Sequence, residues 1–268
     1  SCSMKEIIRL EHIGKTFFTR RQTITALQDV TMSFGEGEFV SIVGPSGCGK
    51  STIIRMIDDI IKPTEGTITV NGVVYDNCKP VPREVISNIG FVFQSPNLYP
   101  WLTVRQNLLL PLKILGRMTE EYISYADSLL QMIGLTEYAA AYPREISGGM
   151  AQRIGVIRSM VHKPQMLMMD EPFGALDDDT REVLDLEILQ IWKRSGMTVI
   201  FITHNVEEAV LMSRKIYVMA SHPGRVTAEV PIAFDQPRSL ELLSSQAFSA
   251  CCSQIEQMIG TVNLDQIV

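Results

Sequence analysis

Apolar and polar positions alternate along the chain in two textures, and their order predicts an α/β protein. Ile7 to Ile13 mixes apolar and polar residues at strand spacing, and Ile24 to Phe34 repeats that character. Glu36-Gly37 turns the chain into Glu38-Phe39-Val40-Ser41-Ile42-Val43, which is apolar enough for a buried strand. Thr52 to Ile57 reads as the first turns of a helix, with Pro63 and Gly66 as punctuation beyond it. Thr67 to Tyr75 reads as a hairpin turning at Asn71-Gly72, and Ile89 to Phe93 as another short strand.

From Ser95 to about His162 the texture is helical. Thr103 to Leu115 forms one helix with Pro111 inside it, and Thr119 to Ile133 a second with Glu120 and Glu121 in its first turn. Ser147 is the N-cap of a third, reaching Val161. Strands at Gln165–Met169, Thr198–Thr203 and Lys215–Met219 then alternate with helices at Asp178–Arg194, stopped by Gly196, and Asn205–Ser213. Continuous apolar strands between helices predict a parallel sheet covered on both faces. The chain divides into a unit over 1–232, with the helical part inserted at about 95–162, and a tail over 233–268. The tail reads as a polar linker from Ala233 and one amphipathic helix, Leu240 to Ile259.

Composition narrows the classes. Of 268 residues 46% are hydrophobic, enough for a sizeable core, and the formal charge of −6 argues against a nucleic-acid partner. No run approaches the ~18–20 apolar residues that span a bilayer. Leu108 to Leu115, the most apolar stretch, is broken by Pro111 and Lys113. The N-terminus lacks the apolar segment of a signal peptide, and Ser1-Cys2-Ser3 ahead of Met4 reads as a cloning remnant. Cys2, Cys48, Cys78, Cys251 and Cys252 form no metal or disulfide framework, and the four histidines are dispersed. These features fit a reduced cytosolic protein.

The chemistry centres on Gly44-Pro45-Ser46-Gly47-Cys48-Gly49-Lys50-Ser51-Thr52, between a strand and a helix. Gly, four residues, then Gly-Lys-Ser is the phosphate-loop pattern. Its three glycines let backbone N–H groups curl around phosphate oxygens at a helix start. Lys50 is placed to reach the β- and γ-phosphates, and the Ser51 hydroxyl to ligate Mg²⁺. The Cys48 thiol makes this loop a candidate for alkylation. Met166-Leu167-Met168-Met169-Asp170-Glu171 is an apolar strand ending in two acids. Beside a phosphate loop, Asp170 suits the Mg²⁺ shell and Glu171 a general base for the attacking water. Ser147-Gly148-Gly149 opens a helix, either as a second anion cradle or as an ordinary capped start. Two cradles imply two ligands, or one ligand shared between two copies.

In this order the stretches resemble the nucleotide-binding subunit of an ATP-binding cassette (ABC) transporter. The matching motifs are the phosphate loop (Walker A), Gln94, the signature Ile146-Ser147-Gly148-Gly149-Met150 and the Walker B strand ending Asp170-Glu171. Gly174-Ala175-Leu176-Asp177 resembles the D-loop and Thr203-His204 the switch histidine, so the likeness covers roughly residues 4–230. It implies an ABC ATPase domain over 1–232: a P-loop NTPase core with a parallel sheet, an N-terminal antiparallel β part and the inserted helical subdomain. It implies ATP and Mg²⁺ at the site and hydrolysis to ADP and phosphate.

The resemblance also assigns roles. Phe17 corresponds to the aromatic that stacks on adenine, with a plain core role as the alternative. Gln94 corresponds to a contact to Mg²⁺ or the attacking water, His204 to a γ-phosphate contact, and Asp177 to a contact across to the opposing subunit. Ser147, Gly148 and Gly149 of one copy would cap ATP held by the phosphate loop of the other, giving a two-fold homodimer. The implied partners are two transmembrane permease subunits and an extracytoplasmic substrate-binding protein, at the cytoplasmic face of the cell membrane. Met150 stands where the family commonly has Gln, and Gly174 where it has Ser. Backbone N–H groups and Ser147 carry most of the phosphate contact, so activity is expected to survive both. Met150, Ser221 to Val226 and Tyr99 to Val104 resemble the nitrate/sulfonate/taurine importer subgroup; the transported compound is chosen by other subunits. The alternative is a soluble ABC ATPase of repair or translation, which usually carries two cassettes or a long coiled-coil insertion.

Overall fold

The apolar runs pair into two sheets. The computed structural model describes residues 4–76, 79–235 and 237–264, so Ser1–Ser3 and Cys78 lie outside the described residues. The first half runs β1 (Glu6–Phe18), β2 (Thr23–Gly35), β3 (Phe39–Val43), α1 (Lys50–Ile57), β4 (Glu65–Val70), β5 (Val73–Tyr75), α2 (Arg83–Ile86) and β6 (Ile89–Val92). The inserted helices are α3 (Val104–Ile114), α4 (Glu120–Met132) and α5 (Gly148–Arg158). After them come β7 (Met166–Asp170), α6 (Asp178–Ser195), β8 (Thr198–Thr203), α7 (Val206–Met212), β9 (Lys215–Ala220) and β10 (Arg225–Pro231). The tail holds α8 (Leu240–Leu243) and α9 (Gln246–Leu264).

The smaller sheet is antiparallel, in the order β2-β1-β4-β5, with the predicted hairpin joining β4 to β5. The larger runs β10-β9-β3-β8-β7-β6; β9, β3, β8, β7 and β6 are parallel, and β10 closes the edge antiparallel to β9. Successive residues of the parallel strands point to opposite faces, and both faces are buried. Phe39, Met169, Phe201 and Val218 face one cluster, shared with α3 to α7 and α9. Val40, Met168, Ile202 and Met219 face the other, shared with α1 and the antiparallel sheet. This is why the strands read as mainly apolar runs.

Sequence and structure part in four places. β10 has no counterpart among the predicted strands: its half-buried and exposed positions alternate from Val226 to Pro231, but none is fully buried, so the run lacks the near-continuous apolar character of the central strands. α5 ends at Arg158 rather than Val161, since Ser159 and Met160 donate to the carbonyls three residues back and tighten the last turn. The single tail helix is two helices, broken where the Ser245 hydroxyl accepts the Phe248 N–H and starts α9 afresh. The linker is tied down as well. Arg238 is buried, and its guanidinium donates to the carbonyls of Val210 (2.9 Å) and Leu211 (3.1 Å) at the end of α7.

Candidate functional site

β3, β7 and β8 are central and parallel, so their carboxyl ends converge on one edge of the sheet, where ligands of such sheets bind. β3 ends at Val43 and gives way to the phosphate loop. Gly49 is the N-cap of α1 with φ 89°, and no side chain caps the helix, which leaves its first N–H groups for a ligand. A cavity of about 330 Å³ opens there, lined by Ser46, Gly47, Lys50 and Thr52 of the loop and by Asp170 and Glu171 from β7. β2 closes one side: a Cβ on Gly49 would lie 2.5 Å from Leu27 Cδ2. The Ser221–Val226 stretch closes the back, where a Cβ on Gly224 would lie 2.1 Å from the Cys48 carbonyl oxygen. That near-contact gives the Pro223-Gly224 pair a physical task beside the phosphate loop.

Lys50 is buried, and its Nζ donates to the Gly44 carbonyl at 2.6 Å and sits 4.0 Å from Glu171 Oε1. Glu171 follows β7 with φ 45°, a conformation uncommon for a residue with a side chain. Its N–H donates to the Ile202 carbonyl (2.8 Å), and its Oε1 lies 2.7 Å from Nδ1 of His204, which follows β8 and is exposed. The Ser51 hydroxyl donates to Asp170 Oδ2 at 3.0 Å. Burial raises the Asp170 pKa; the Ser51 hydrogen bond opposes this, while the neighbouring Glu171 adds to it. A hydroxyl beside a carboxylate is a hard-oxygen pair that suits Mg²⁺, which commonly takes few protein ligands and completes its shell with phosphates and water. Ser51 and Asp170 would hold it. Gln94 follows β6 by two residues, and its Nε2 is 3.6 Å from the Cβ position of Gly174, whose N–H donates to the Glu171 carbonyl. Gln94 therefore stands beside the turn that carries Glu171.

Other predicted site residues lie elsewhere. Phe17 is near the end of β1, paired with Ile24, and 38% exposed, which removes the core alternative; Lys15 Nζ is 5.1 Å from its ring centre. Pro45 is half-buried. Cys48 is fully buried, and burial raises its thiol pKa, so the expected ease of alkylation is corrected: the side chain points into the core and the thiolate is disfavoured. Ser147 caps α5 by accepting the Met150 N–H (3.2 Å). Ser147 and Gly149 line a separate cavity of about 440 Å³ against α6, which shares no residue with the Lys50 cavity. Asp177 caps α6, its two oxygens accepting the Thr180 N–H and hydroxyl at 2.9 Å each, and these bonds lower its pKa.

Gln152, to which the sequence alone assigns no role, joins these pieces. Its buried amide donates to the Phe93 carbonyl (3.2 Å) and the Pro172 carbonyl. One residue on α5 thus holds the stretches bearing Gln94 and Glu171 against each other. The signal available was a polar residue, Gln152, in the same turn as apolar Ile154 and Val156 that both enter the core.

Known proteins share this arrangement. The family described as ABC transporter matches residues 27–174. The nitrate import ATP-binding protein NrtD of Synechocystis is 40% identical over 228 residues, 84% of this chain and 82% of that protein. The taurine import ATP-binding protein TauB of Jannaschia is 38% identical over 212 residues, covering 79% and 76%. A dimeric ATP-binding cassette solved in a post-hydrolysis state with ADP and Pi superposes with a TM-score of 0.73 at 32% identity, covering 85% of this chain and 100% of that one. With its phosphate loop and paired acids at the strand ends, this chain belongs to the ABC transporter family as an ATP-binding, ATP-hydrolysing subunit.

Proposed function

We propose that this chain powers an importer of a small anion of the nitrate, sulfonate or taurine type, through ATP-driven closure of a homodimer. The observation that carries the shared-site reading is the pair Gly148-Gly149. Neither has a positive φ, and a Cβ on either would meet no described atom within 4 Å. Nothing described within the chain requires glycine there, whereas a phosphate approaching from another copy does. The relatives named for nitrate and taurine import, and the dimeric cassette with ADP and Pi, support the same reading.

In this mechanism the phosphate-loop N–H groups and Lys50 hold the β- and γ-phosphates, and Phe17 offers its exposed ring to adenine. Glu171 is the general base for the attacking water, held through its Oε1 by His204, which also reaches toward the γ-phosphate. Ser51 and Asp170, with Gln94 nearby, would hold Mg²⁺, which when bound would neutralise phosphate charge. Ser147, Gly148 and Gly149 complete the opposing site, with Asp177 at the seam. The ATPase domain is residues 1–232, and 233–268 is an appended tail. Among the described residues no helix is long and apolar enough to cross a membrane. On this reading, which the relatives named for nitrate and taurine import support, the chain works on the cytoplasmic face of the membrane, docked to two permease subunits that an external binding protein supplies.

The test is Glu171→Gln. It should bind Mg-ATP and dimerise while hydrolysis falls by about 100-fold or more. Normal turnover would remove Glu171 from the base role. Purification from gently solubilised membranes should bring a multi-span permease; ribosomal or DNA-repair partners alone would instead place the chain among the soluble ABC ATPases.

A further inference from the structure

Two carboxyl groups sit in the core where α6 meets α7. Asp185 of α6 is 1% exposed and Glu208 of α7 is 6% exposed. Asp185 Oδ1 and Glu208 Oε2 receive no hydrogen bond from any N–H or hydroxyl among the described residues, yet the two carboxyls are within hydrogen-bonding reach of each other. The cation that pairs with Glu208 is Arg181. Its Nε is 3.4 Å from Glu208 Oε2, and its Nη2 is spent on Asp178 at 2.8 Å. Two buried negative charges against one shared guanidinium are unstable, and one proton between them removes both the excess charge and the missing donor.

The place is informative. α6 begins at Asp177, on the loop proposed to reach the opposing subunit. α7 begins beside His204, and Asn205, one residue after it, accepts the Glu208 N–H at 2.9 Å. We propose that Asp185 and Glu208 are positioning residues for hydrolysis, sharing one buried proton that locks the Asp177 helix to the His204 helix. The lock makes the γ-phosphate contact of one site respond to the loop that serves the other. This rests on the proposed roles of His204 and Asp177.

The surroundings give the sign. Burial, then the charge and hydrogen bond of Glu208, hold the Asp185 pKa well above 3.8, against Arg181 and with Glu182 adding to the rise. Burial also raises Glu208, against bonds from Asp185 and Thr203 and the charges of Arg181 and His204. From α9, Cys252 feels the charge of the neighbouring Glu207, and Glu256 lines the same cavity as Glu207; β3 presents Ser41, bonded to Ser213; Arg238 reaches the far end of α7. A carboxyl whose folded pKa is raised stabilises the fold fully below its unfolded pKa, and that contribution is lost as pH rises through the folded value. Asn at position 185 keeps a donor at every pH.

The experiment compares the full chain as wild type, Asp185→Asn, Asp185→Ala and His204→Ala, following thermal midpoint and Mg-ATP hydrolysis from about pH 5 to about pH 9. The midpoint of Asp185→Asn should gain on wild type by about 3 °C or more as pH rises, and its turnover should stay within about twofold at neutral pH. Asp185→Ala should lose about tenfold in kcat at unchanged KM for ATP. If Asp185→Asn tracks wild type at every pH, or Asp185→Ala turns over normally, the proposal is overturned. Should Asp185→Ala fail to fold, the Asp185→Asn comparison decides alone. Full hydrolysis by His204→Ala would sink the proposed role of His204, while the pH-dependent difference in stability would still report the shared proton.

Discussion

The molecule has two glycine-rich helix starts, and they differ in what their own chain asks of them. At the phosphate loop a Cβ on Gly44 would lie 2.7 Å from the Met219 carbonyl oxygen, and Gly49 is left-handed and pressed on Leu27. Its cation, Lys50, is buried 4.0 Å from Glu171, with Asp170 lining the same cavity. At Ser147 a Cβ on either glycine would meet no described side chain or neighbouring element within 4 Å, and the nearby Arg153 is engaged by Glu187 at 2.9 Å. The first cradle is demanded by packing and chemistry within one chain. The second is also a glycine-rich helix start, but it is capped by Ser147, and the one cation lining its cavity is already paired, which is the expected form of a lid whose charge is supplied by the site it closes.

Lys50→Ala tests the first half of this comparison most severely. Hydrolysis should fall by about 1000-fold, since no other described cation lines that cavity. Activity within tenfold of wild type would mean that the loop backbone and metal suffice. Gly224→Ala comes next. Its Cβ has no room beside the Cys48 carbonyl, and urea unfolding should show a loss of about 3 kcal/mol together with weaker ATP binding. Unchanged stability would show that the loop can retreat, so that packing does not fix the cradle.

The parallel sheet was legible because both of its faces are buried, so Phe39–Val43 and Thr198–Thr203 appear as mainly apolar runs, the first interrupted by Ser41 and the second bounded by threonines. The site was legible where a motif carries its own chemistry, as at Lys50, Ser51, Asp170 and Glu171. What stayed hidden depends on contacts between distant segments. Gln152 bridges Phe93 and Pro172, Asp185 meets Glu208, and Arg238 reaches back to α7, and no local periodicity encodes such pairings. β10 alternates half-buried with exposed positions and buries none fully, so it lacks the apolar run that marked the central strands.

Gly148→Ala breaks the comparison from the other side. The added methyl meets open space, so stability should stay within about 0.5 kcal/mol of wild type. Hydrolysis and ATP-dependent dimerisation should nonetheless fall by about tenfold, measured by steady-state turnover and sedimentation, because the methyl intrudes on a phosphate from the partner copy. Equal loss of stability and activity would make Gly148 a residue of its own chain after all.

The gentlest probe compares thiols at the two cradles. Cys48 is wholly buried and its thiol is pushed up by burial, so iodoacetamide should modify it at least about tenfold more slowly in the folded chain than in urea. A thiol placed by Ser147→Cys would stand exposed at a helix N-terminus, which favours the thiolate, and should react at or above the rate of an unfolded cysteine. Mg-ATP should then protect the second thiol in step with dimer formation and leave the slow first rate nearly unchanged. Protection of the Ser147→Cys thiol in a chain kept monomeric would place the nucleotide against its own signature helix. The two cradles would then belong to one subunit rather than facing each other across a dimer.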